Sequence, residues 1–210
     1  RDDWRQHCRR WADHRDEHGR AGRHRGDHRG RARDHAHPCR AGAVWACPTT
    51  RWATHRAPAR SGEADRPWAV RQADAAHRLA ELAVKFPRTV FSSIADDEET
   101  IRFLASGAQQ HGVTLGVFIE IDCGMGRTGI MPGDHAAFLS HVIRDTPRLQ
   151  FRGIHAYDGH IHDESLDVRR ERCDAAFAPV HQFRCRLQGE GLVVKELVAG
   201  GSPTFGIHAE

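Results

Sequence analysis

Ahead of Leu79 the chain contains no leucine, isoleucine, methionine or phenylalanine. That absence excludes a conventional core, because ordering a residue's backbone costs roughly 1–2 kcal/mol and aliphatic burial is what offsets it. All five tryptophans (Trp4, Trp11, Trp45, Trp52 and Trp68) fall in this same portion, amid arginine and histidine. Residues 1–70 are therefore expected to be a disordered, Arg/His-rich segment, and residues 71–210 to hold the folded domain. Lysine is also scarce: Lys85 and Lys195 are the only two. The six cysteines show no C-x-x-C spacing and are too sparse for a disulfide scaffold, so a reducing, cytoplasmic compartment is expected. No apolar run approaches the roughly 20 residues of a membrane span, and the first residues lack a signal peptide's apolar core, so no membrane partner is expected.

The net charge of +3 is small, and its basic excess belongs to the first third. Stretches such as His24-Arg25-Gly26-Asp27-His28-Arg29-Gly30 would suit phosphate neutralisation on a nucleic acid. Interspersed aspartates and glutamates argue against a nucleic-acid partner. Metal binding by His35, His37, Cys39 and Cys47 would follow no zinc spacing pattern. A third reading covers more of the composition: Arg, His, Ala, Gly, Asp and Trp without Leu, Ile or Phe is what a GC-rich coding region yields when translated out of frame. On that reading the segment did not evolve to fold with the rest.

From Ala75 onward the texture changes. Leu79, Leu82, Ala83 and Phe86 share one helical face, which Pro87 ends. Thr89 to Ala95 reads as a strand. Asp96 with Glu99 reads as a capping box, ahead of a helix carrying Ile101, Leu104, Ala105 and Ala108 and closed by Gly112. The apolar run Leu115–Asp122 predicts a buried strand, Asp134–Arg144 a helix and Gln150–Tyr157 a strand. A helix over 166–188 with a kink at Pro179 and a strand over 192–198 complete the pattern. Strands and helices that alternate with short links require a parallel sheet with right-handed crossovers, in either a barrel or a doubly wound arrangement. Polar or glycine-rich loops after successive strands, at Asp122, Tyr157 and Gly200, favour a partial (β/α)8 barrel, whose chemistry gathers at the C-terminal strand ends.

Three of those loops carry candidate chemistry. In Asp122-Cys123-Gly124-Met125-Gly126-Arg127-Thr128-Gly129, glycines let backbone N–H groups approach a ligand while Arg127 offers a fork of donors to an oxyanion. Gly200-Gly201-Ser202-Pro203-Thr204 presents amides and two hydroxyls suited to a phosphate. Ile154-His155-Ala156-Tyr157-Asp158-Gly159-His160 ends a strand on an aromatic ring and imidazoles. Taken singly, either glycine loop is equally well read as a tight turn. Together they point to a flat, phosphorylated anion.

The three motifs, at 120–129, 153–160 and 199–205 in that order, resemble the D-threonine aldolase and D-serine dehydratase group. These are fold-type III pyridoxal-phosphate enzymes whose barrel is that of the alanine racemase N-terminal domain. The resemblance covers about residues 75–210. It implies that Arg127 faces the cofactor's phenolic oxygen, that Tyr157 lies at the pyridine ring, and that Gly200, Gly201, Ser202 and Thr204 hold the phosphate. His160 would line the substrate side, and His155 and His162 are read as a strand-interior and a solvated histidine. The implied reaction is aldol cleavage of a D-β-hydroxy amino acid to glycine and an aldehyde, assisted by a divalent metal on the hydroxyl. The alternatives are a D-serine dehydratase-like deamination and a barrel that holds pyridoxal phosphate without catalysis. A family-type homodimer is expected of an intact protein.

Two departures accompany the resemblance. The Schiff-base lysine should follow the first barrel strand, yet no lysine precedes Lys85, which falls in a helix, and Lys195 falls in a strand ahead of the phosphate loop. The family's metal-binding β-domain is not represented up to Glu210, so no metal ligand is assigned. The chain as written is therefore expected to be inactive although its lineage is that of a lyase.

Overall fold

Parallel strands laid down in chain order carry the site. The computed structural model describes residues 43–45 and 68–210. Its elements are β1 (Ala43–Trp45), α1 (Trp68–Lys85), β2 (Val90–Ala95), α2 (Glu98–His111), β3 (Leu115–Ile121), α3 (Asp134–Asp145), β4 (Leu149–Ala156), α4 (Leu166–Gly189), β5 (Glu196–Ala199) and α5 (Phe205–His208). β1 and the first residues of α1 fall inside the segment 1–70 expected to lack order. The rest of that segment, including the His35, His37, Cys39 and Cys47 reading, lies outside the described residues.

The sheet order is β1-β2-β3-β4-β5 and every pairing is parallel. A doubly wound sheet reverses its strand order at a switch point; sequential order with each helix returning to the next strand is the winding of a barrel. The strand order bears out the barrel winding that the loops at the strand ends favoured over a doubly wound sheet. No helix among the described residues is long and apolar enough to cross a membrane.

Helices cover one face of the sheet. Phe91, Leu115, Val117, Ile119, Ile121, Phe151, Ile154 and Ala156 point to that side and pack with Leu104, Leu139, Ile143, Phe177, Val180 and Leu187. The other row holds Ser92 and Ile94 on β2, Gly116, Phe118 and Glu120 on β3, and Arg152 and His155 on β4, matched by the pairs Ser92↔Gly116, Ile94↔Phe118 and Glu120↔His155. A bulge on β4 sets this arrangement. Val117 pairs with Phe151 and Phe118 with Gly153, so one residue is skipped and the alternation that buried Leu149 and Phe151 resumes on Ile154 and Ala156. Gly153 sits there at φ 154°, where a side chain would run into the Glu196 carbonyl. The bulge turns His155 rather than Ile154 toward Glu120.

Several expected details shift. The buried side of α1 is Gln72, Ala76, Leu79 and Ala80, whereas Leu82 and Phe86 are exposed. Small residues face α2 because the helices approach closely: a Cβ on Gly107 would lie 2.9 Å from the Ala76 carbonyl oxygen. The N-cap of α2 is Asp97, not Asp96; its carboxylate accepts the Thr100 N–H at 2.7 Å and the Thr100 hydroxyl at 2.9 Å. Gly112 closes α2 in the left-handed conformation as expected. The last strand is Glu196–Ala199 rather than 192–198, since Leu192 and Val194 bury into the helical side before the ladder with β4 begins.

Candidate functional site at the C-terminal strand ends

Glycine loops invite an anion, and both loops here already hold one of the protein's own. In the loop after β3, Asp122 Oδ1 accepts the N–H groups of Gly124 at 2.9 Å and Gly126 at 3.1 Å. The Gly129 N–H donates to Asp96 Oδ2 at 2.8 Å, and the Thr128 hydroxyl donates to Glu120 Oε1 at 2.9 Å. Positive φ at Gly124, Gly126 and Gly129 lets the chain wind round these carboxylates. The loop after β5 folds round Asp158, a fully buried residue of the loop after β4, whose Oδ1 accepts the Gly201 N–H at 2.5 Å and the Thr204 hydroxyl at 2.7 Å. The Gly200 N–H donates to the Ala156 carbonyl. Of that loop's expected phosphate contacts, the exposed Ser202 keeps its amide and hydroxyl without a hydrogen-bond partner among the described residues.

The three loops meet. Arg127 is exposed and its guanidinium carbon lies 5.1 Å from the centroid of the Tyr157 ring, a cation–π pair that gives a planar charged platform. A Cβ on Gly124 would stand 3.3 Å from the His160 imidazole, and one on Gly201 would stand 2.9 Å from the Gly159 backbone. The structure therefore brings Arg127, Tyr157, His160 and the 200–204 loop to one end of the sheet. His162 is exposed in the loop beyond.

Next to this platform are groups that the motifs did not single out. Glu120 and His155 are register partners, with Oε1 and Nδ1 3.9 Å apart. Both Glu120 Oε2 and His155 Nδ1 are buried without a hydrogen-bond partner. Burial pushes the Glu120 carboxyl up to about 7, with the neighbouring Asp96 adding to the rise and the Thr128 hydroxyl opposing it. Burial, with the Arg127 charge in support, pulls His155 down to about 4. Asp96 is raised as well, chiefly by burial. A carboxyl poised near neutrality with an open oxygen is equipped to take up or release a proton. The charge of Glu120 inside the apolar run LGVFIEI was the available signal; His155 could not be placed without the β4 bulge.

Lysines are absent from this end. Lys85 closes α1 ahead of β2, with its ammonium 5.5 Å from the Phe86 ring, and Lys195 is exposed just before β5. Both stand at the N-terminal ends of strands. The buried thiol of Cys123 donates to the Tyr157 carbonyl, and burial raises it to about 12, which disfavours the thiolate. Among the described residues, one group of metal-ligating side chains converges closely, Asp158, Cys173 and His208.

A parallel sheet wound in barrel order, with its polar groups collected at the C-terminal strand ends, defines a barrel-type site protein. The chain belongs to the family of the alanine racemase N-terminal domain, whose model matches residues 47–209, a span that begins inside the Arg/His-rich segment. It is similar to the 3-hydroxy-D-aspartate aldolase of Paracoccus denitrificans strain Pd 1222, with 35% identity over 139 residues, 65% of this chain and 35% of that protein. The D-threonine aldolase of an Arthrobacter species is 26% identical over 112 residues, 53% of this chain and 30% of that protein. Among solved structures, the crystal structure of D-threonine aldolase from Filomicrobium marinum superposes with a TM-score of 0.60 at 30% identity, covering 64% of this chain and 36% of that one. The chain spans about a third of the length of each of these relatives.

Proposed function

We propose that this chain carries the cofactor face of a pyridoxal-phosphate-dependent lyase that acts on D-β-hydroxy amino acids, of the D-threonine aldolase kind. One observation carries the reading: Arg127 stacked on Tyr157, beside two buried polar atoms, Glu120 Oε2 and His155 Nδ1, that lack partners. A flat, anionic, hydrogen-bonding ring fits that setting. The aldolase names of the relatives favour carbon–carbon cleavage over deamination.

In this reading the Arg127 guanidinium would donate to the cofactor's ring oxygen and the Tyr157 ring would lie against the pyridine. The Ser202 amide and hydroxyl would take the phosphate, while Gly200, Gly201 and Thr204 shape the loop round Asp158. Pyridoxal phosphate, when bound, supplies an electron sink for the bond broken at the substrate's Cα. Glu120 holds or releases a proton at Oε2, and His160 lines the substrate side. Neither lysine of the chain reaches this end, so pyridoxal phosphate would be held here by non-covalent contacts and the chain by itself would turn over no substrate. The same placement of Lys85 and Lys195 favours a second reading, a barrel that binds pyridoxal phosphate without catalysis.

Titration of the purified chain with pyridoxal phosphate, followed by fluorescence quenching and equilibrium dialysis, tests this. Saturable binding is expected, at least about tenfold weaker in Arg127→Ala and several-fold weaker in Ser202→Ala, as loss of a charge-assisted and a neutral hydrogen bond implies. Borohydride should fix no cofactor to the protein, and D-threonine should yield no glycine. Absence of saturable binding, or binding indifferent to Arg127→Ala, overturns the cofactor assignment; cleavage of D-threonine overturns the inactivity.

A further inference from the structure

Asp158, Cys173 and His208 come from three separate segments: the loop after β4, the body of α4, and α5. They meet on the helical side of the 199–205 loop. Asp158 and Cys173 are buried and the His208 side chain is 18% exposed. His208 Nε2 lies 2.9 Å from Asp158 Oδ2 and 3.5 Å from Cys173 Sγ, and Sγ lies 3.7 Å from Oδ2. We propose that these three atoms form a binding site for a zinc-class divalent cation, one that ties the 199–205 loop and α5 to α4.

Geometry is the first support. A point equidistant from the three atoms lies about 2.0 Å from each, which is the length of Zn–N and Zn–O bonds and about 0.3 Å short of a Zn–S bond. A small movement of the ion out of the plane of the three donors lengthens all three distances together and leaves a fourth, tetrahedral position open. His208, the most exposed of the three, marks the side from which an ion enters.

The donor set is the second. One thiol, one imidazole and one carboxylate suit zinc or cobalt and are poor for magnesium or calcium, which prefer oxygen throughout. Without an ion, the Cys173 thiol donates to Asp158 Oδ2, which His208 Nε2 also faces, so one carboxylate oxygen serves both neighbours while Nε2 and Sγ stand 3.5 Å apart. Nε2 carries a single hydrogen or a single lone pair, so it cannot serve both neighbours at once. A cation at the centre would take all three donor atoms in place of these hydrogen bonds. Binding balances as the loss of one proton from the Cys173 thiol to solvent, with neutral His208 keeping its hydrogen on Nδ1 and Asp158 ligating as the carboxylate.

The surroundings are those of a braced site. The other oxygen of Asp158 holds the Gly201 N–H and the Thr204 hydroxyl, and the Phe177 ring packs edge-on to the His208 imidazole with centroids 4.4 Å apart. Such outer contacts fix ligand orientation. Through Asp158 the ion would be linked to the loop that bears Ser202.

Cobalt(II) is the probe. The full chain, stripped with a chelator and titrated with Co2+, should take up one ion with a sulfur-to-cobalt charge-transfer band and the visible bands of tetrahedral cobalt, both abolished by added Zn2+. Cys173→Ser should remove the sulfur band. His208→Gln, at a half-buried position that leaves the core intact, should weaken Co2+ binding at least tenfold while the circular dichroism spectrum stays unchanged. No sulfur band in tenfold excess of Co2+, a band that survives Cys173→Ser, or binding unmoved by His208→Gln overturns the site. None of these readouts requires pyridoxal phosphate to bind.

Discussion

The opposed titrations of Glu120 and His155 make a prediction that the pair's geometry alone would not. Burial raises Glu120 from 4.5 to about 7, so between those values the folded state binds more protons than the unfolded one and stability falls as pH rises. His155 drops from 6.5 to about 4, so between those values the unfolded state binds more protons and stability rises with pH. At 1.36 kcal/mol per unit, each shift is worth about 3 kcal/mol in full, and the two nearly cancel across the range they share. Substitution uncouples them. Relative to the parent, Glu120→Gln should gain about 2.5 kcal/mol between pH 4.5 and 7, and His155→Gln should lose about the same over that interval. Urea unfolding followed by circular dichroism at half-unit pH steps gives both difference curves. Two flat curves, or two curves of the same sign, would refute buried neutral groups at this end of the sheet and with them the proton-carrying role given to Glu120.

Other substitutions probe the frame. Leu104→Ala, at a position with no exposed surface in α2, should cost about 2–5 kcal/mol in urea unfolding, and a cost below 1 would mean the helical side is loosely packed. Gly153→Ala should cost at least about 3 kcal/mol, because the new methyl meets the Glu196 carbonyl and the β4 bulge cannot form; parent-like stability would show that the bulge is dispensable. Asp97→Ala should cost about 1 kcal/mol and Asp96→Ala should leave helix capping untouched, since the N-cap hydrogen bonds belong to Asp97; the reverse order would restore the expected capping box.

How far the sequence reached depends on the range of the interaction concerned. α2 was legible almost residue by residue, because its apolar spacing and its Gly112 cap act within one or two turns. Its N-cap was displaced by one residue, since two adjacent aspartates offer the same chemistry and only Asp96 has a distant claimant, the Gly129 amide. The face of α1 was half legible, since Leu79 and Ala83 pack on the core but Leu82 and Phe86 do not, because a stripe of alanines looks weak in sequence yet packs best where Gly107 admits a neighbouring backbone. His155 was read as unremarkable because strict alternation does not anticipate the bulge at Gly153.

The sequence by itself determined the alternation of strand and helix, the glycine loops with Arg127, Tyr157 and Ser202, and the absence of any lysine but Lys85 and Lys195. Those properties are local or compositional. The strand-end loops favoured a barrel, and tertiary structure alone decided its strand pairing and register, that Asp158 rather than an outside anion takes the Gly201 amide and Thr204 hydroxyl, and that Glu120 lies opposite His155. Each of these joins residues at least 35 positions apart, or joins strands through intervening helices. Which donor meets which acceptor at such separations is set by the packing of the sheet against α1 to α4, because the partners offer equal chemistry until the fold fixes their distances.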